Sequence, residues 1–394
     1  MGECVKIIGG KLNITLVALY NVHSYAIRGL HALLAQKPNI NVKSVYFKTT
    51  TYTTYDRPEI DGLLDTIEYT KPDVIGFQVF SPIFPLFKVI SEMTRKRFPS
   101  VQIIVGGAHP TADPESCLDY ADYVIVGEGE KFDLSDKGII YGKPLTEEEL
   151  NELPISHYGL GCYYYGADTT QKKISYTCSR GCLYNCSYCH ESVTPDRGLR
   201  KKSPQKVIDD IKELRTKSPN IRVVSFSDSI FPYDDDWLDE FGDQFVRMNM
   251  VGRISTNANV MNEDRLRWLQ FIRITKVRFG VQSGSEELRK NVFNRKDSLG
   301  KILELATFCD KIGIQHEYDF IINNPYDTHD SMKDTRDFIS KLPYGALINY
   351  FELRWFPGTP LTKRALDDGY IRKEDVEGQF NRFGNWAYSY IRTK

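Results

Sequence analysis

Short apolar runs separated by amphipathic stretches recur along nearly the whole chain and constrain its fold more than any other feature. In the first half the apolar runs are 14–19, 42–47, 74–79, 103–105 and 123–126, with helical patterns near 24–35, 59–69, 85–98 and 114–118. Parallel neighbours need a crossover, and the usual crossover is a helix. The alternation therefore predicts an α/β domain over residues 1–130: a doubly wound parallel sheet with helices on both faces. The pattern repeats after residue 171, with strand signals at 174–177, 223–226, 252–255, 276–281, 314–321 and 347–353. Ser203-Pro204 is a helix start, a capping hydroxyl followed by proline at the first helical position. Six strands with intervening helices predict a partial (β/α)6 barrel over 171–365. Residues 131–170 read as a linker and 366–394 as a C-terminal tail.

A chain of 394 residues is long enough for about two domains with real cores. Its formal charge of −1 gives no bulk electrostatic case for nucleic-acid or membrane binding. No apolar run is long enough to span a bilayer, and residues 1–11 lack the apolar core of a secretion signal.

Both architectures bind ligands beyond the carboxyl ends of their strands. In the first half those ends are 20–23, 80–82, 106–111 and 127–130, rich in glycines that let a backbone approach a flat ligand. Neither a G-x-G-x-x-G fingerprint nor a P-loop occurs there, which disfavours a nucleotide. In the second half the first strand runs into Gly181-Cys182-Leu183-Tyr184-Asn185-Cys186-Ser187-Tyr188-Cys189. Three thiols at this spacing can hold three irons of a 4Fe–4S cube and leave the fourth iron open. Cys178 upstream and His190 directly after make a closed zinc site the alternative, although zinc sites more often use paired C-x2-C units. Cys178 reads as the end of the preceding strand. Cys4, Cys117, Cys162 and Cys309 are scattered and read as packing or surface residues.

The cysteine loop, with Tyr188 before the third thiol, resembles the radical S-adenosylmethionine (SAM) superfamily. Upstream, Gly-Gly-x-His-Pro-Thr at 106–111, Pro114-Glu115 and Gly-Glu-Gly-Glu at 127–130 resemble the cobalamin-binding domain of one large class in it, the cobalamin-dependent radical SAM methyltransferases. The resemblance implies a Rossmann-like cobalamin-binding domain, then a TIM-type radical SAM barrel. It implies a 4Fe–4S cluster on Cys182, Cys186 and Cys189, with SAM and cobalamin as further cofactors. SAM contacts are implied at Tyr188, at Ser227 and Asp228, at Thr256 and Asn257, at Gln282 and Ser283, and at Gly358. Relatives commonly carry Glu where Gln282 stands; the amide can still donate and accept hydrogen bonds. Cobalamin contacts are implied at Asn21, His23, Ser81, Gly106, Gly107, His109, Thr111, Gly127 and Glu128. The stretch 21–26 departs from the D-x-H-x-x-G of cobalt-ligating histidines: Asn21 replaces the Asp and Ala26 the Gly. The carboxylate that would orient His23 is missing, so the cobalt is expected without a histidine ligand.

Tyr318 and Trp355 are candidate substrate walls, with core packing as the alternative; no catalytic acid or base stands out. The resemblance implies C-methylation of an unactivated sp3 carbon, in a small molecule or in a protein side chain such as a glutamine of methyl-coenzyme M reductase. Rearrangement, cyclisation or oxidation is the rival reaction. The implied partners are the methyl acceptor and an electron donor such as flavodoxin or ferredoxin, with neither nucleic acid nor membrane. An exposed cluster implies a cytoplasmic setting.

Overall fold

The computed structural model describes residues 11–19, 24–48, 57–131, 136–156, 158–165, 173–195, 197–378 and 391–392. The first domain is a seven-stranded, wholly parallel sheet. Its strands are β1 (Leu12–Leu19), β2 (Ile40–Phe47), β3 (Val74–Gln78), β4 (Gln102–Gly106), β5 (Tyr123–Val126), β6 (Gly138–Tyr141) and β7 (Cys162–Tyr165). They lie in the order β6-β5-β4-β3-β1-β2-β7. Period-two alternation assigns each strand residue to one of two faces. Val17, Leu19, Val45, Phe47 and Val105 bury one face under the helices Arg57–Thr70 and Phe84–Arg97. Ile14, Leu16, Ala18, Val42 and Ile104 form the other, covered by the helix Tyr25–Ala35. The amphipathic stretch at 114–118 is only a short 3₁₀ turn, Glu115–Cys117.

Residues 131–170 are more than a linker, since β6 and β7 pair with β5 and β2 at the two edges of this sheet. The polar, glycine-containing sequence around β6 hid a strand of four residues. Edge strands need only one partner, and here packing supplies the rest. Tyr164 stacks on Tyr46 with centroids 5.1 Å apart, and Tyr165 on Phe47 at 5.5 Å.

The second domain opens with β8 (Ile174–Tyr176) and a two-stranded ribbon, β9 (Ser179–Arg180) with β10 (Arg200–Lys201). It continues with β11 (Val223–Phe226), β12 (Val251–Thr256), β13 (Ile274–Gln282), β14 (Gln315–Ile322) and β15 (Leu347–Glu352). These pair in parallel in chain order from β8, and β16 (Ile391–Arg392) adds antiparallel to β15. This is the partial barrel, with helices between its strands and one continuous apolar layer under them. Ser203 caps the first barrel helix, its Oγ accepting from Lys206 N–H at 3.2 Å with Pro204 next in line. No helix among the described residues is long and apolar enough to cross a membrane.

Candidate functional site

The carboxyl ends of the first sheet face the start of the barrel across a cavity of ≈ 380 Å³. The first domain contributes an apolar wall, Ile14, Leu16, Ile104 and Ile125, and a glycine floor, Gly76, Gly106, Gly107, Gly127 and Gly129. The barrel closes the cavity with Tyr176, Thr177, Cys178, Ser179, Arg180 and Lys202. The segment leading to the cysteine loop is thus part of the cavity wall.

Gly107 has φ +111°, and a Cβ there would stand 2.7 Å from the Val79 carbonyl oxygen. Only glycine fits that bend, which brings main chain to the cavity edge. Of the other residues implied for cobalamin, Glu128 lines the cavity, whereas Ser81, His109 and Thr111 hold the loops from behind. His109 is buried against Phe84, ring centroids 3.8 Å apart; its Nδ1 meets Ser81 Oγ at 3.2 Å and its Nε2 meets Ser116 Oγ at 3.1 Å. Burial, then the Lys88 charge, lower its pKa to about 3, so the ring is neutral at ordinary pH. Thr111 Oγ1 donates to Gly107 O at 2.8 Å and accepts from Gly127 N–H at 3.0 Å, tying the two glycine loops together. Asn21 and His23 lie outside the described residues.

Ion pairs join the domains at the cavity rim. Arg180 pairs with Glu130 at 2.6 Å and with Glu128 at 3.1 Å, and Arg200 pairs with Glu128 at 2.7 Å. Burial alone would raise the Glu128 pKa; the two arginines and Leu145 N–H outweigh it and hold the carboxyl below its usual range. Deeper in the wall, Lys202 Nζ donates to Tyr176 Oη at 3.0 Å, and Tyr176 Oη donates to Asp210 at 2.6 Å. None of Arg180, Arg200 and Lys202 was legible as a site residue. The signal was a pair of arginines on the ribbon opposite two glutamates in the Gly-Glu-Gly-Glu loop.

The cysteine loop starts from Gly181, whose φ of +86° and contact with Gly198 O leave no room for a side chain. Its middle is gripped by the barrel: Ser187 N–H donates to Phe293 O at 3.1 Å and Leu361 N–H donates to Ser187 O at 2.9 Å. Cys182, Cys186 and Cys189 are free thiols and partly exposed, whereas Cys178 is wholly buried in the barrel core. Three partly exposed thiols on one loop are a donor set suited to a cluster that keeps one iron open, and the glycine floor suits a large flat ligand.

Tyr188 is half-buried beside Phe293 and accepts from Arg295 at 3.1 Å. Ser227 is exposed at the end of β11. Asp228 is buried; its Oδ1 accepts from Ser179 N–H at 2.6 Å and from Ser179 Oγ at 2.7 Å, and its Oδ2 has no partner. Burial raises its pKa to about 6 against the lowering of the Ser179 hydrogen bonds. Thr256 Oγ1 is likewise buried without a partner, and Asn257 caps the turn 258–260. Gln282 closes β13 with φ +74°.

Three expectations are corrected. The Ser283 hydroxyl meets Thr335 Oγ1 at 3.2 Å and accepts from Ser285 N–H at 3.1 Å, so it is engaged inside the fold. Tyr318 is wholly buried under the barrel helices, stacked on Phe279 and bonded to His316 Nδ1 at 2.9 Å; it walls no substrate site. Trp355 packs with Leu288, Phe293 and Leu361 in a core behind the cysteine loop. Gly358 lies against the first domain, where a Cβ would come 2.9 Å from Ala112 O.

Residues 13–133 match the model of the B12 binding domain and residues 176–339 that of the radical SAM superfamily. An uncharacterized methyltransferase of Pyrococcus horikoshii is 23% identical over 357 residues, covering 80% of this chain and 76% of that protein. Cytidylyl-2-hydroxyethylphosphonate methyltransferase of Streptomyces wedmorensis is 22% identical over 383 residues, covering 80% and 70%. The radical SAM methyltransferase TsrM from Kitasatospora setae, solved with tryptophan substrate and a SAM analogue, matches with a TM-score of 0.72 at 14% identity, over 90% of this chain and 76% of that one. The cobalamin-dependent SAM radical enzyme OxsB, solved with aqua-cobalamin and SAM, matches at 0.70 and 15%, over 97% and 64%. The chain thus carries a B12-binding domain followed by a radical SAM domain. It is an enzyme homologous to the cobalamin-dependent radical SAM methyltransferases, and the cofactors of that domain pair are cobalamin, SAM and a 4Fe–4S cluster.

Proposed function

We propose that this enzyme methylates an unactivated sp3 carbon, with the cluster on Cys182, Cys186 and Cys189, cobalamin against Gly106, Gly107 and Gly127, and SAM at the ends of β11 to β13. The observation that carries this reading is the shared cavity, in which the glycine loops of one domain face the segment entering the cysteine loop of the other. When bound, the cofactors supply a hydrogen-abstracting radical and a methyl group, chemistry that belongs to them rather than to side chains. The chain's own work is geometric. Thr111 holds the two glycine loops in register. Glu128 and Glu130 hold Arg180, and Asp228 holds Ser179, so the backbone entering Cys182 is anchored from both domains. Ile104 and Ile125 give the cavity an apolar wall that disfavours water. Radical formation also calls for a one-electron donor protein of the flavodoxin or ferredoxin class.

Product stoichiometry tests the reading. Protein reconstituted anaerobically is supplied with SAM, a reductant and acceptors of two classes: a glutamine peptide of methyl-coenzyme M reductase, and small molecules of the phosphonate type that one relative methylates. With the true acceptor, S-adenosylhomocysteine and 5′-deoxyadenosine should appear in equal amounts with each methyl added. The variant with all three loop cysteines changed to Ala should make neither. Deoxyadenosine without S-adenosylhomocysteine would reassign the enzyme to rearrangement, cyclisation or oxidation.

A further inference from the structure

Arg295 follows β13 in the chain and lies behind the cysteine loop, with a side chain only 6% exposed. Its Nη1 is 3.9 Å from Cys186 Sγ and 3.1 Å from Tyr188 Oη, and its Nη2 donates to Gly280 O at 2.7 Å. Its carboxylate partner, Asp297 at 3.0 Å, is shared with Arg289, also at 3.0 Å. Arg289 and Asp297 are both buried. A further carboxylate, Glu286, stands on the far side of Arg289 at 3.8 Å and is mostly exposed, so solvent screens it. In the buried set, two guanidinia therefore face one carboxylate. An excess buried cation is costly unless an anion completes it. The sulfur within reach is Cys186 Sγ, a cluster ligand in the function proposed above, and hydrogen bonds to cluster sulfurs and nearby charge are what set cluster potentials.

We infer that Arg295 is a positioning and tuning residue: it donates to the Cys186 sulfur, and its charge favours the one-electron-reduced cluster. The inference rests on the cluster assignment above. Reduction adds one electron from a low-potential donor and makes or breaks no bond to Arg295. The cluster gains one negative charge, and the guanidinium stabilises it. Asp297 sets the size of the effect by neutralising part of the arginine pair.

The two residues should therefore shift the potential in opposite directions. Whole protein is reconstituted with iron and sulfide, and its cluster potential is read by a redox titration monitored by electron paramagnetic resonance. Arg295→Gln should disfavour reduction by about tenfold, about 59 mV for one electron. Asp297→Asn should favour reduction by a similar factor. Iron content and circular dichroism report assembly and fold for each. If only one variant assembles a cluster, its sign decides. Shifts in the same direction, no shift, or loss of the cluster from both variants with the fold intact would overturn the inference, because a tuning residue is not a ligand. Unaltered protein that binds no iron would overturn the cluster assignment itself.

Discussion

His109 sits between two hydroxyls on the face of Phe84, and this setting makes the first domain sensitive to acid. Its folded pKa is about 3 against an ordinary 6.5. Between those values the unfolded chain binds the extra proton, so stability from this residue is complete above 6.5 and is lost as pH falls towards 3. Asp228 acts with the opposite sign. Its carboxyl, raised from 3.8 to about 6, contributes stability that is complete below 3.8 and lost as pH rises through about 6. The two partly cancel, so the test is a difference. Urea midpoints at pH 7 and pH 5 should show the advantage of the native protein over His109→Gln shrinking by about 2 kcal/mol, at roughly 1.4 kcal/mol per pH unit. An unchanged gap would mean that His109 takes up its proton over the same pH range in the folded and the unfolded chain.

Strand β13 departs from regular pairing at its carboxyl end. Its ladder with β14 shifts register between Gly280 and Gln282, and Gln282 adopts φ +74°. A side chain in the left-handed region costs about 1 kcal/mol, and such strain gathers at functional edges. The bulge turns the strand end, and the next residues run into the helix Glu286–Asn291. Gln282→Gly relieves the strain and loses the amide. Its unfolding free energy should change by less than about 1 kcal/mol, because backbone relief and glycine entropy oppose each other. Its Kd for SAM should rise by about tenfold, the loss of one hydrogen bond worth roughly 1.4 kcal/mol. SAM binding by equilibrium dialysis reads this; an unchanged Kd would remove Gln282 from the SAM site.

At the scale of the whole molecule, the pairing of domains makes the site. The cavity is lined from both domains, and Glu128 and Glu130 meet Arg180 and Arg200 across it. These side chains are between 13% and 31% exposed, so the network lies between surface pairs worth little and buried pairs that are costly to break. A double-mutant cycle on Glu128→Gln and Arg200→Gln, read by thermal unfolding, should give a coupling energy of about 1 kcal/mol. Coupling below about 0.3 kcal/mol would leave the apolar contacts as the sole cement of the interface.

The strand–helix alternation, the three thiols and the glycines at the strand ends are local features, and the sequence alone determined them. Their physics is local too: strand period, ligand spacing within one loop, and backbone freedom at single positions. Tertiary structure decided what depends on distant partners. Edge strands β6 and β7 are too short to show a period, and form because β5 and β2 offer them open edges. Arg295 reaches Cys186 across a separation of 109 residues, beyond any motif's range. Tyr318 belongs to a strand covered on both sides, so its apolar pattern could not tell the barrel interior from the helix layer; only closure of the sheet assigned it to the core.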